Sequence, residues 1–299
     1  MARGCHRGGG ARRGGWRWVC GASERCRGVY DAEMADLRAN YSMLSTFQQC
    51  RRKYWFKFVE RVRVPWKQNV DGIIGRGIHE SLARYAASDD PEVGRSSLDA
   101  HLRMPNHAIA GPGTPFYEFA MALYERGVEA CRSIQAQDTW IEQNLRWYWR
   151  KADLEFDAIL DRVDYLGDGH WQIIDWKTGN YEFGETTDLQ LDIAHAVLRA
   201  ARNLPRDALV TTIGWNLRHE TQRVRMLNRG HAAATMRLLL NSARKIAGNQ
   251  DFSGSPSRLC AFCEFREQCD DAQFVKVGRL DWEDELTQEQ LDDDSTSPS

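Results

Sequence analysis

The chain has 299 residues, of which 42% are hydrophobic and 27% charged, with 8 Cys and a formal net charge of −2. That length and apolar content suit one large domain with a substantial core, and no apolar run approaches the ~18 residues of a membrane span. The charge divides into about +6 over residues 1–30, −8 over residues 280–299 and zero for the body, so overall charge does not identify a partner.

Residues 1–33 are Arg/Gly-rich, without periodicity and without the apolar centre of an export signal. They are expected to be a disordered extension, and Met34 begins a segment that reads like an ordinary start. With no export signal, a cytoplasmic setting is expected. A helix capped by Ser42 is predicted to run to about Val59. Its bases Arg51, Arg52, Lys53 and Lys57 interleave with Tyr54, Trp55 and Phe56. Such a pattern suits a nucleic-acid backbone and unpaired bases, with Arg51, Arg52 and Tyr54 as the candidates; it equally suits an amphipathic helix whose aromatics are core.

A second helix is predicted over Ile73–Ala87, carrying His79. Pro91, Pro105, Pro112 and Gly113 predict an irregular stretch over Asp89–Pro115, and helical periodicity returns over Phe116–Gln135. Strands are predicted at Trp140–Trp149 and Leu154–Asp161, then a strand ending at Lys177, a helix over Asp188–Arg202, a hairpin of Ala208–Leu217 with Arg223–Leu227, and a helix over Gly230–Ala247 closed by Gly248. Residues 279–299 are expected to be a disordered tail, residues 280–299 carrying eight acids and no base. The folded domain is therefore expected over residues 34–278.

Chemistry concentrates in Leu160–Gly179. Asp161 ends an apolar run, Gly167–Gly169 makes a turn, and Trp171–Ile174 leads into Asp175, Trp176 and Lys177. Side chains alternate along a strand, so Asp175 and Lys177 share a face with Trp176 opposite. A hairpin of the two runs brings Asp161 alongside. Two carboxylates and an ammonium on one patch suit a divalent cation and an attacked phosphate. An isolated Asp-x-Lys is more often a solvated strand edge; the apolar strand, the turn and the preceding acid are what set this one apart.

These residues resemble the PD-(D/E)xK nuclease superfamily in its RecB-like branch, similar to CRISPR-associated exonucleases. The matching segments are Leu160-Asp161-Arg162-Val163-Asp164 and Ile174-Asp175-Trp176-Lys177-Thr178-Gly179, with Trp176 where Tyr is usual. Gly75-x-x-x-His79, Leu189-Gln190-Leu191 and the segment Tyr41–Tyr54 extend the likeness over about residues 41–269. The resemblance implies an αβββαβ core, a mixed sheet flanked by helices with added helices at both ends. It implies a metal-dependent DNase, with exonuclease action on single-stranded ends. Asp161, Asp175 and His79 would hold Mg²⁺ or Mn²⁺, Lys177 would position the attacking water, and Gln190 would orient that water or the lysine. Asp164 is the rival of Asp161, and the family pattern favours the first acid.

Cys260-x2-Cys263-x5-Cys269 near the C-terminal end, with Cys50 at the other end of the folded sequence, is the ligand pattern of the branch's iron–sulfur members. The resemblance thus implies a [4Fe–4S] cluster; the same four thiolates could hold tetrahedral zinc. Cys131 reads as a buried core thiol. The alternative function is a non-catalytic iron–sulfur or zinc DNA-binding subunit that keeps the fold. There is no G-x-x-x-x-G-K-[ST] loop, so a helicase motor would come from a partner protein, and neither a helicase nor a recombination or CRISPR partner is identifiable from the chain.

Overall fold

The computed structural model describes residues 37–64, 69–180 and 183–275, and the backbone of residues 16–19 and 27–30. Strands β1 (Trp16–Val19) and β2 (Arg27–Tyr30) pair antiparallel in a small separate sheet. The rest of the Arg/Gly-rich extension and the acidic tail lie outside the described residues.

The main sheet has six strands: β3 (Leu37–Ala39), β4 (Asp138–Trp149), β5 (Leu154–Gly167), β6 (His170–Lys177), β7 (Leu209–Asn216) and β8 (Thr221–Leu227). β5 organises it. Along one side β4 runs antiparallel over nearly its full length. Along the other side, β3 lies parallel beside Leu154–Phe156 and β6 antiparallel beside Arg162–Gly167. Between those two neighbours, residues 157–161 have no strand partner on that side, so the sheet splays where Asp161 sits. β7 joins β6 in parallel and β8 joins β7 antiparallel, which makes the sheet mixed. The β5–β6 turn places Gly167, Asp168 and Gly169 all at positive φ (100°, 49° and 73°), and two glycines make that run affordable for the backbone.

Helices cover both faces. α3 (Val70–Ser88), α4 (Pro91–Leu102) and α5 (Pro115–Arg132) enclose one core with Ile174, Trp176 and Ile213 of the sheet. α1 (Tyr41–Gln49), α6 (Glu185–Ala201) and α7 (Arg229–Ala247) enclose the other with Phe156, Leu160, Val163, Ile173 and Val210. This is the expected helix–sheet–helix arrangement, a mixed α/β fold of restriction-endonuclease type. Cys131 is buried on α5, as expected, and burial raises its thiol pKa.

Three details differ from the sequence reading. Asn40, not Ser42, caps α1, its side chain accepting from the Met43 amide. The predicted long first helix breaks at Cys50, which is extended (φ −162°, ψ 118°), and resumes as the short α2 (Arg51–Tyr54) and a π-helical turn over Trp55–Val59. The stretch expected to be irregular contains α4, because Pro91 sits in its first turn beneath an Asp90 cap, a position where proline's missing N–H costs nothing.

Candidate active site

β6 presents Asp175 and Lys177 toward α6 and packs Trp176 into the opposite core, as strand alternation requires. Gln190 reaches them from the second turn of α6. Lys177 Nζ lies 2.6 Å from Asp175 Oδ2 and donates to Gln190 Oε1 at 3.0 Å. Gln190 Nε2 donates to Asp175 Oδ1 at 2.8 Å. The three side chains therefore form a closed ring, and the amide fixes lysine and carboxylate together. Burial pushes the Asp175 carboxyl up to about 6; the Lys177 charge opposes this and the Asp161 charge adds to it.

Asp161 stands at the splay of the sheet, one strand away. Its Oδ2 accepts from the Trp176 backbone N–H at 2.9 Å, and its Oδ1 lies 3.2 Å from Nδ1 of His79, which α3 brings to the same edge. Burial works to lower the His79 pKa, but the hydrogen bond to Asp161 and the charges of Asp161, Asp175 and Glu142 outweigh it, and the net direction is upward. Glu142 on β4 completes the group: its carboxylate, His79 and Asp161 offer donor atoms that all lie within 4.8 Å of one another. An imidazole and two carboxylates at that spacing are suitable donors for Mn²⁺ or Mg²⁺. The sequence reading missed Glu142. It belongs to no motif, and its proximity follows only from the β4–β5 register.

Asp164, the rival acid, is fully buried elsewhere. Arg162 Nε lies 2.9 and 3.0 Å from its two oxygens, Thr139 Oγ1 donates at 2.7 Å and Gln172 Nε2 at 3.4 Å. Its lone pairs are occupied by a structural network, whereas Asp161 faces His79 and Glu142.

A cavity of about 250 Å³ opens beside the site. It occupies the gap between β3 and β6: residues 157–161 line one wall, Ile173–Asp175 and Gln190 another, and Asn40–Ser42 at the start of α1 a third.

At the other end of the fold, Cys50, Cys260, Cys263 and Cys269 are all free and half-buried. Burial is the main cause that raises the Cys263 thiol pKa, and Cys50 adds a smaller upward push. The Ser257 amide donates to Cys260 Sγ at 3.4 Å. Side chains around Cys50 tie the C-terminal segment down: Arg51 pairs with Asp251 at 3.1 Å, Arg52 with Asp271 at 3.6 Å, and Phe56 stacks on Phe265 at 5.4 Å. Tyr54 is 5% exposed, between Phe47, Phe58 and Phe252. Tyr54 thus packs within this segment, and Arg51 and Arg52 pair with acids of the same chain.

The family model of the PD-(D/E)XK nuclease superfamily matches residues 38–270. Among solved structures, the crystal structure of a "Putative exonuclease" from Eubacterium rectale aligns with TM-score 0.50 at 13% identity, covering 84% of this chain and 92% of that one. The crystal structure of SSO0001 aligns with TM-score 0.34 at 11% identity, covering 69% and 98%. No curated protein matches the chain. Among the described residues, no helix is long and apolar enough to cross a membrane.

Proposed function

The chain belongs to the PD-(D/E)XK nuclease superfamily, and from that premise we propose that it is a metal-dependent deoxyribonuclease acting on single-stranded DNA ends. The observation that carries the reading is the Lys177–Asp175–Gln190 ring set beside the Asp161–His79 pair at the splayed end of β5 and β6. Asp161, Asp175 and His79 would hold the divalent cation. Bound there, the cation would lower the pKa of a water and offset charge on the phosphate and the departing 3′ oxygen. Lys177, restrained by Asp175 and Gln190, would orient the attacking water and stabilise negative charge on the phosphate. Gln190 would position the lysine rather than contact the substrate itself.

A preference for single-stranded ends is supported by the cavity between β3 and β6. A base that has left its stack can enter such a recess, while a paired base in a duplex cannot. We further propose that Cys50, Cys260, Cys263 and Cys269 hold a [4Fe–4S] cluster. The same four thiolates could instead hold one tetrahedral zinc ion. The cluster would join α2 to the segment after α7, where the Arg51–Asp251 and Arg52–Asp271 pairs already make that connection.

The test is cleavage of end-labelled single-stranded DNA with Mn²⁺, against a Lys177→Ala control. Cleavage by the wild type and none by the variant is expected. Wild-type protein that binds the DNA without cutting it would instead support a non-catalytic DNA-binding subunit.

A further inference from the structure

Glu142 lies outside every motif, yet two strands are distorted together where it meets Asp161. On either side of it β4 and β5 keep a single register, with Ile141 opposite Arg162 and Gln143 opposite Leu160, so Glu142 stands opposite Asp161. At this step both strands lose their alternation. Trp140 packs into the core beneath α6 and α7, and so do Leu145, Trp147 and Trp149, although even and odd positions of a regular strand face opposite ways. β5 repeats the slip: Leu154, Phe156 and Leu160 enter that core, and then Val163 does. Glu142 itself has φ 48°, a left-handed conformation that L side chains rarely adopt.

A bulge in one strand alone would put two of its residues opposite one on its partner. Here the irregularity is shared by facing residues and the pairing survives it. What the shared kink changes is the direction of two carboxylates, which converge on His79 with all three donor atoms inside 4.8 Å. Two like charges at that distance repel each other, and a cation between them removes the repulsion. Backbone conformations of this kind are held in place at ligand sites when the surrounding structure fixes them.

The geometry points to Glu142 as a further oxygen ligand of the divalent cation, on the His79 side of Asp161, held there by the paired kink of β4 and β5. The inference rests on the nuclease reading for the presence of a cation, and it adds a residue to the set that the motifs supply.

Titration of the metal-free full-length protein with MnCl₂ tests it, followed both by calorimetry and by the Mn²⁺-induced rise in Tm. Glu142→Gln should bind Mn²⁺ at least ~10-fold more weakly, as loss of a ligating or ligand-orienting group does. Glu142→Gly should weaken binding equally while leaving the metal-free Tm unchanged or higher, because glycine adopts the positive φ without strain. His79→Asn and Asp161→Asn serve as references. If these two references lose Mn²⁺ while both Glu142 variants bind it like the wild type, the inference about Glu142 is overturned and the proposed function stands. If all four bind it like the wild type, the cation is not at this centre and both readings fail.

Discussion

Asp175→Asn should abolish cleavage and at the same time stabilise the metal-free protein. Burial is the largest influence on this carboxyl and raises it from 3.8 to about 6, despite the Lys177 ion pair. The folded state therefore favours the protonated form more than the unfolded chain does. Stability contributed by Asp175 is fully present below pH 3.8, declines as pH rises through the folded value near 6, and is lowest above it. The difference corresponds to about 3 kcal/mol at pH 7, from roughly 1.4 kcal/mol per pH unit between the two values. Asparagine resembles the neutral form and keeps an acceptor for Gln190, but it leaves the Lys177 charge without its anionic partner, which offsets part of that figure, so a gain smaller than about 3 kcal/mol is expected. Urea unfolding in EDTA at pH 7, 5.5 and 4 measures it, and the gap between variant and wild type should close toward pH 4. A variant less stable than wild type at pH 7, or a gap that does not change with pH, would refute the claim that function here is held against stability.

Lys177→Ala and Asp161→Asn should each eliminate cleavage with little change in Tm, while Asp164→Asn should retain measurable cleavage but lose about 3 kcal/mol in urea, because it breaks a fully buried pair with Arg162. An inactive, normally stable Asp164→Asn would reverse the two assignments. His195 is fully buried with neither ring nitrogen hydrogen-bonded, and burial lowers its pKa to about 3. Its contribution to stability is present above the unfolded value of 6.5 and is lost as pH falls toward 3, about 2 kcal/mol of it by pH 5. His195→Leu should flatten the acid side of the urea stability profile by that amount, and an unchanged profile would show that the ring is protonated or paired in the fold. Cys50→Ser should cost both the visible absorption of anaerobically purified protein and several degrees of Tm, since a cluster joining both ends of the fold binds only the folded state. Colourless wild-type protein carrying zinc would replace the cluster with an ion, and a Cys50→Ser protein with full metal content would remove Cys50 from the site.

Much of this protein is written in local pattern. The Asp175–Trp176–Lys177 alternation places two polar groups on one face of β6 in any fold that buries Trp176, and the two glycines after Leu166 dictate the turn that returns β6 along β5. The apolar periodicities of α3, α5, α6 and α7 likewise locate the helices to within a few residues, because burial of one stripe is a local requirement on the sequence. Other features arise only from long-range pairing. Gln190 joins Lys177 and Asp175 because α6 lies across β6, and nothing in Leu189-Gln190-Leu191 specifies that distance. Asp161 and Asp164 lie three residues apart on one strand, and the family pattern favours the first; only the fold shows their different surroundings, with Arg162, Thr139 and Gln172 burying Asp164 in a closed network and His79 arriving on α3 beside Asp161. Tyr54 is covered by Phe252 as well as by its neighbours Phe47 and Phe58, and Arg51 and Arg52 meet Asp251 and Asp271 some 200 residues away, so the basic–aromatic run that suits DNA in isolation becomes the seat of the C-terminal segment. Glu142 is the extreme case. A single acid in an aromatic strand carries no signal of its own, and it joins the site only because β4 and β5 kink together opposite Asp161.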